Sequence, residues 1–173
     1  MEELKIYKNF LKKEDFKNIS DLVVSDYFPY YYQDYQTTLK KHPEQQYFSH
    51  TVITDGKMNS NYYEKLIIPF AIKLNIKDLI QVGVNFTVNQ NKAIMSDWHT
   101  DAILEFKKRK IKKGKTAIYY VNTNNGYTEF KTGEKIKSIA NQFVIFDKDL
   151  KHRAIQQTDT KYRIVINFNY TEK

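Results

Sequence analysis

Two hydrophobic periods divide the chain at about residue 79. Before it, apolar positions recur at roughly helical intervals. "LKKEDFKNISDLVVSD" places Leu11, Phe16, Ile19, Leu22 and Val23 on one stripe and predicts a helix. "NSNYYEKLIIPFAIKLN" predicts a second, with Asn61 and Glu64 at capping-box spacing and Pro69 where it should bend or split. Between them "YFPYYYQDY" and "QQYFSHTVIT" are aromatic and β-branched and predict strands, with Pro29 as punctuation and "TDGK" as a turn. After residue 79 the period falls to two. "LIQVGVNFTV", "DWHTDAI", "KTAIYYVN", "GYTEF", "EKIKSIA", "QFVIFD", "HRAIQQ" and "YRIVINFNY" are eight short strand-like runs, separated by turn chemistry such as "NTNNG" and "KTGE".

Many short strands preceded by helices predict a mainly β (α+β) fold, a jelly-roll core with N-terminal helices packed against it. The 173 residues read as one domain, 1–173, with a helical and strand cover over about 1–78 and the core over about 79–170. The last run carries a further signal. Ile164, Ile166, Phe168 and Tyr170 alternate with Arg163, Val165, Asn167 and Asn169. The second set is too polar for a core and too apolar at Val165 for plain solvent, so it suits the wall of a wet cavity.

Composition removes several classes. There are no cysteines, which excludes disulfides, thiolate zinc sites and cysteine catalysis. No run approaches the ~20 apolar residues of a membrane span, and the charged start "MEELKIYKNFLKKED" lacks a signal-peptide core. The expectation is a soluble, cytoplasmic protein without a membrane partner. The net charge of +8 comes from 25 Lys and only 3 Arg, in a chain also rich in Asn, Ile and Tyr. That bias follows A/T-rich codons as readily as a nucleic-acid partner, since phosphate binders also use the planar arginine fork. One cluster stands out: Lys107, Lys108, Arg109, Lys110, Lys112, Lys113 and Lys115. It reads either as a solvated loop or as a clamp for an acidic protein segment or a nucleic-acid backbone.

The candidate chemistry sits in "MSDWHTDAI". His99 and Asp101 are two residues apart, with the sole tryptophan, Trp98, before them. On a strand, positions i and i+2 share a face, so the pair can hold one metal if a third ligand arrives from a neighbouring strand. Of the other histidines, His42 and His50 read as structural, and His152 opens the penultimate strand. Arg163 follows His152 by eleven residues. Two histidines and a carboxylate leave one face of a metal open, which suits non-heme Fe(II) oxygenases, and a fixed guanidinium pairs bidentately with a carboxylate. "GKT" at 114–116 is not a phosphate loop, because Arg109 stands where the first glycine belongs, and no G-x-S-x-G hydrolase elbow exists.

The ordered blocks "HTD" (99–101), "TAIYYVNTNNGYTEF" (116–130), "QFVIFDKDLKH" (142–152) and "YRIVINF" (162–168) resemble the 2-oxoglutarate/Fe(II)-dependent oxygenases, in their prolyl-4-hydroxylase-like branch. The resemblance covers roughly residues 79–170. It implies a double-stranded β-helix with iron held by His99, Asp101 and His152, and 2-oxoglutarate chelating that iron with its far carboxylate on Arg163. Tyr120 matches a position whose hydroxyl often assists the arginine. Thr87 stands near a place where some relatives carry a tyrosine, and Asn167 lines the barrel mouth. Fe(II), 2-oxoglutarate and O2 are the implied cofactor and co-substrates, with ascorbate a candidate addition. The implied reaction decarboxylates 2-oxoglutarate to succinate and CO2 while hydroxylating a substrate C–H bond. That substrate stays open among a peptidyl proline or other protein residue, which the resemblance favours, a small molecule, and a nucleobase. Two alternatives remain beside it: a zinc hydrolase on the same ligands, against which Arg163 argues, and a non-catalytic jelly-roll module binding an acidic partner such as nucleic acid, against which the triad argues.

Overall fold

The computed structural model describes residues 4–33, 47–101, 105–106 and 109–173. In chain order the elements are β1 (Lys5–Tyr7), α1 (Lys13–Val23), β2 (Tyr31–Gln33), β3 (Tyr47–Thr54), β4 (Lys57–Met58), α2 (Tyr63–Ala71), β5 (Ile76–Val88), β6 (Glu105–Phe106), β7 (Arg109–Lys110), β8 (Lys115–Tyr120), β9 (Tyr127–Phe130), β10 (Lys135–Lys137), β11 (Gln142–Asp147), β12 (His152–Ile155) and β13 (Tyr162–Glu172). The large sheet runs β1-β11-β8-β13-β5-β3-β2, with β4 on β3, and the small sheet runs β10-β9-β12. Every pairing is antiparallel. Two such sheets with a cavity between them make the jelly roll that the strand spacing predicts.

The alternation in β13 resolves as predicted. Ile164, Ile166, Phe168 and Tyr170 face the helices and join a core with Val82 and Val84 of β5, Tyr119 of β8 and Phe143 of β11. The helices contribute Ile19, Leu22 and Val23 from α1, and Leu66, Ile67 and Phe70 from α2. Phe70 is wholly buried between Tyr119 and Phe168, with ring centroids 4.8 Å away in each case. Burying one such side chain contributes about 1.5–3 kcal/mol. On the opposite face of the large sheet an apolar cluster covers β8 and β11 and takes in Val165 of β13. There Ile118, Tyr120, Val144 and Phe146 pack on Phe130 and Leu150. Over the rest of β13, β5 and β3 that inner face is mostly polar, and the cavity opens there.

Local chemistry explains most elements. Asp55 and Gly56 both take positive φ, 49° and 67°, as a tight hairpin between β3 and β4 requires. Helix α2 runs through Pro69 and stops two residues later, where the missing N–H has already removed a rung. The expected capping box does not form. Tyr62 is the N-cap without a side-chain cap, and the hydroxyl of Ser60 accepts the Tyr62 N–H at 3.1 Å. Over its described residues, 97–101, the run "DWHTDAI" is also not a strand. The segment from Met95 to His99 makes two isolated bridges to β12, Met95 to Ile155 and His99 to His152, and Asp101 lies beyond them in irregular chain.

Candidate metal centre and its pocket

The bridge between His99 and His152 is closed by backbone bonds in both directions, His99 N–H to His152 O at 3.0 Å and His152 N–H to His99 O at 2.9 Å. It sets the two imidazoles side by side, centroids 4.5 Å apart. Each ring also donates Nδ1–H to a carbonyl two residues upstream, His99 to Asp97 O at 2.8 Å and His152 to Leu150 O at 3.1 Å. That assignment leaves Nε2 of both rings as the lone-pair nitrogen. Asp101 Oδ1 lies 3.7 Å from His99 Nε2 and 3.8 Å from His152 Nε2.

These donor atoms fit a divalent metal. Bonds of about 2.1 Å place neighbouring ligands about 3.0–3.4 Å apart, so small side-chain rotations close the set. Carbonyls holding the far ring nitrogens are the support that metal-binding histidines need. Burial holds His152 below the ordinary histidine range, against the pull of Asp101, which favours the neutral imidazole that a metal needs.

The three residues line one end of a cavity of about 680 Å³. Antiparallel register builds its floor from rows across β3, β5 and β13: Thr87 opposite Arg163, Ser49 and Asn85 opposite Val165, Thr51 and Gly83 opposite Asn167, and Gln81 opposite Asn169. Gly83 keeps the space before Asn167 open, since nothing lies closer than 4.0 Å to where a Cβ would stand. The Oδ1 of Asn167 is buried without a partner among the described residues.

Arg163 is 4% exposed, yet no carboxylate pairs with it among the described residues. Its Nε–H donates to Ser138 Oγ at 2.7 Å, and its guanidinium carbon stands 5.6 Å over the Tyr120 ring. Burial lowers its pKa, and the nearby phenol of Tyr120 opposes that shift. An unpaired buried cation at a cavity wall is costly unless an anion joins it.

Tyr120 meets the guanidinium with its ring face. Its hydroxyl donates to Thr128 Oγ1 at 2.8 Å, and Thr128 lines the cavity. The Thr87 hydroxyl is directed at protein acceptors, Arg163 O at 3.2 Å and Gln157 Oε1 at 3.4 Å.

His50 is buried and engaged through both nitrogens, Nδ1 with Pro29 O at 2.8 Å and Nε2 with Ser60 Oγ at 2.7 Å. His42 lies outside the described residues, as do Lys107 and Lys108. Of the remaining basic cluster, Lys112 and Lys113 are exposed, and Lys115 pairs with Asp147 at 2.7 Å. The sequence reading missed Ser138, Gly126 and the carboxamides of Gln81 and Asn85. The last two had a signal, the alternation of Gln81, Gly83, Asn85 and Thr87 with Val82, Val84 and Phe86.

No family model matches the sequence and no curated protein matches it, but solved structures do. A prolyl-4-hydroxylase from Pseudomonas putida superposes with TM-score 0.61 at 12% identity, over 100% of this chain and 94% of that one. The epimerase SnoN in complex with Fe3+, alpha ketoglutarate and nogalamycin RO gives TM-score 0.69 at 10% identity, over 99% and 79%. A prolyl hydroxylase from Trichoplax adhaerens, in complex with a hypoxia inducible factor peptide fragment, gives 0.65 at 13%, over 98% and 83%. At these identities the shared property is the fold. The chain shares the fold of these solved structures, a double-stranded β-helix.

Proposed function

We propose that this chain is a 2-oxoglutarate- and Fe(II)-dependent dioxygenase that hydroxylates a C–H bond, with a peptidyl residue as the favoured substrate. The observation that carries the reading is the pairing of two features in one cavity. A convergent His99, Asp101 and His152 set lies at one end, and the buried guanidinium of Arg163, unpaired among the described residues, lies on its wall. The chemistry supplied there, with Fe(II) and O2 bound, is oxidative decarboxylation of 2-oxoglutarate to succinate and CO2 coupled to substrate hydroxylation.

The chain's own residues supply position. Arg163 offers a planar fork to the far carboxylate of the co-substrate, and Ser138 and the Tyr120 ring fix the angle of that fork. Asn167 completes the co-substrate pocket, and Thr87, its hydroxyl directed at Arg163 O and Gln157 Oε1, contributes only to the wall. Ile118 and Val165 add apolar surface to an otherwise largely polar lining. O2 as co-substrate belongs to the same reading, with ascorbate a candidate addition. A zinc hydrolase on the same ligands leaves Arg163 without a task.

The test is succinate release. It should require Fe(II) and 2-oxoglutarate together and vanish when Zn(II) replaces Fe(II). Release of equal rate without added Fe(II) would reject the reading.

A further inference from the structure

Trp98 borders the cavity immediately before His99, and two cations sit on its indole. Lys131 Nζ is 4.3 Å from the ring centroid and the Arg153 guanidinium carbon is 4.4 Å from it. The pairing of His99 with His152 sets Trp98 beside Arg153. Lys131, in the turn after β9, donates its backbone N–H to Lys151 O at 2.9 Å. Lys151 is exposed, lines the cavity and directly precedes His152.

Lys131, Lys135, Lys151 and Arg153 stand around this rim with the carboxylate of Glu129, and Asp97 and Asp101 flank Trp98 and His99 in the chain. Glu129 accepts Arg153 Nε–H at 2.7 Å and also meets Lys135 at 3.3 Å. One carboxylate therefore serves two cations, and Lys131 and Lys151 have no carboxylate partner among the described residues. Like charges held within about a Debye length of one another repel, and a bound anion relieves that repulsion.

We propose that Lys131 and Lys151, beside Trp98, hold a substrate carboxylate at the cavity mouth, so that the substrate is an acidic peptide segment. The proposal rests on the dioxygenase reading for the word substrate. Two observations favour a peptide carboxylate over nucleic acid. The indole already carries two cations, 4.3 and 4.4 Å from its centroid, which compete with a base for stacking on it. The Arg153 fork is spent on Glu129, which leaves ammonium point charges on two hydrogen-bonded chain segments, one patch rather than a track that follows a phosphate backbone.

Trp98 is the only tryptophan, so its fluorescence reports on this rim alone. The experiment titrates the full chain with a terminally blocked hexaglutamate peptide at low and high salt. The expected result is a saturable fluorescence change whose affinity falls roughly tenfold with salt. It should be weaker by roughly tenfold in the Lys131→Gln/Lys151→Gln double variant, with a flattened salt dependence, and restored in the Lys131→Arg/Lys151→Arg variant. Blocked hexaglutamine should give no change, and free glutamate should bind at least tenfold more weakly. Four outcomes would overturn the proposal: no response of the wild type to hexaglutamate, unaltered binding by the Gln variant, free glutamate binding as well as the peptide, or single-stranded oligothymidine binding more tightly through the same lysines. None of these readouts needs turnover, so a failure here is separate from a failure of succinate release.

Discussion

His99 and His152 are held together by their backbones, through two reciprocal bonds of 3.0 and 2.9 Å, before any metal is considered. Their rings are then oriented by the carbonyls of Asp97 and Leu150. The third donor differs. Asp101 lies past the bridge in irregular chain, so it is the member of the set that can adjust. Replacing Asp101 with Ala should therefore leave the metal-free fold intact, its melting temperature shifted by no more than about 2 °C, because no strand or core contact is lost. Anaerobic Fe(II) should raise the melting temperature of the wild type and not that of the variant. A matched rise in both would show that the metal binds elsewhere.

Arg163 predicts a graded series. Arg163→Ala removes a charged fork and should cost a few kcal/mol of 2-oxoglutarate affinity, at ~1.5–3 per charged hydrogen bond. Arg163→Lys keeps the charge without the fork and should fall between Ala and wild type. Calorimetric titration with 2-oxoglutarate on the metal-loaded protein reads the order directly, and equal affinities across the series would remove Arg163 from the account.

Gly126 makes room for that arginine. A Cβ there would stand 2.8 Å from Asn124 Oδ1, 3.0 Å from Arg163 Cδ and 3.0 Å from the carbonyl of Ile155. The backbone carbonyl cannot yield, so Gly126→Ala should destabilise the fold by about 1–3 kcal/mol. It should also displace the guanidinium, so the KM for 2-oxoglutarate rises more than kcat falls. Urea unfolding and steady-state succinate release check the two halves, and an unchanged KM would contradict the second.

Asn141 ties the N-terminal segment to the jelly roll. It holds φ at 60°, its Oδ1 accepts the Leu11 N–H at 2.8 Å, and its Nδ2–H donates to Leu11 O at 3.0 Å. It also accepts the Tyr119 hydroxyl at 3.0 Å. Asn141→Ala strands those groups and strains the backbone, for an expected loss of about 2–4 kcal/mol. Asn141→Gly relieves only the backbone and should recover a minor part, as measured by urea denaturation.

His50 gives the protein a pH dependence. Burial lowers its folded pKa below the ordinary value, and the contact with Pro29 O only partly offsets this. The folded state thus binds fewer protons than the unfolded chain, so stability is full above about pH 6.5 and falls as pH drops below it. His152 acts in the same direction. Metal-free protein should unfold at lower urea at pH 5.5 than at pH 7.5, and His50→Gln should show about half that pH difference or less if His50 is its main source.

The alternation in "YRIVINFNY" was enough to separate cavity wall from core, because antiparallel register leaves each residue only two faces. Its partner run "LIQVGVNFTV" carries the same message, and together they locate the polar floor. What was illegible is long-range or irregular. Asp101 follows the bridge at His99 in irregular chain, and its carboxylate stands 3.7 and 3.8 Å from the two imidazole Nε2 atoms. Ser138 meets Arg163 only because the small sheet folds back over the large one, and no local pattern announces that. Ser60 displaced the expected cap at Asn61 because it also serves the buried His50.

The most direct measurement is an anaerobic titration of the protein with Fe(II) and 2-oxoglutarate, followed by visible absorption. The account predicts a weak charge-transfer band that requires both additions and saturates at one iron per chain. It should be missing from Asp101→Ala and should need more 2-oxoglutarate in Arg163→Ala. A wild type that shows no such band with both additions at saturating concentration, or an Asp101→Ala variant with an identical band, would contradict it.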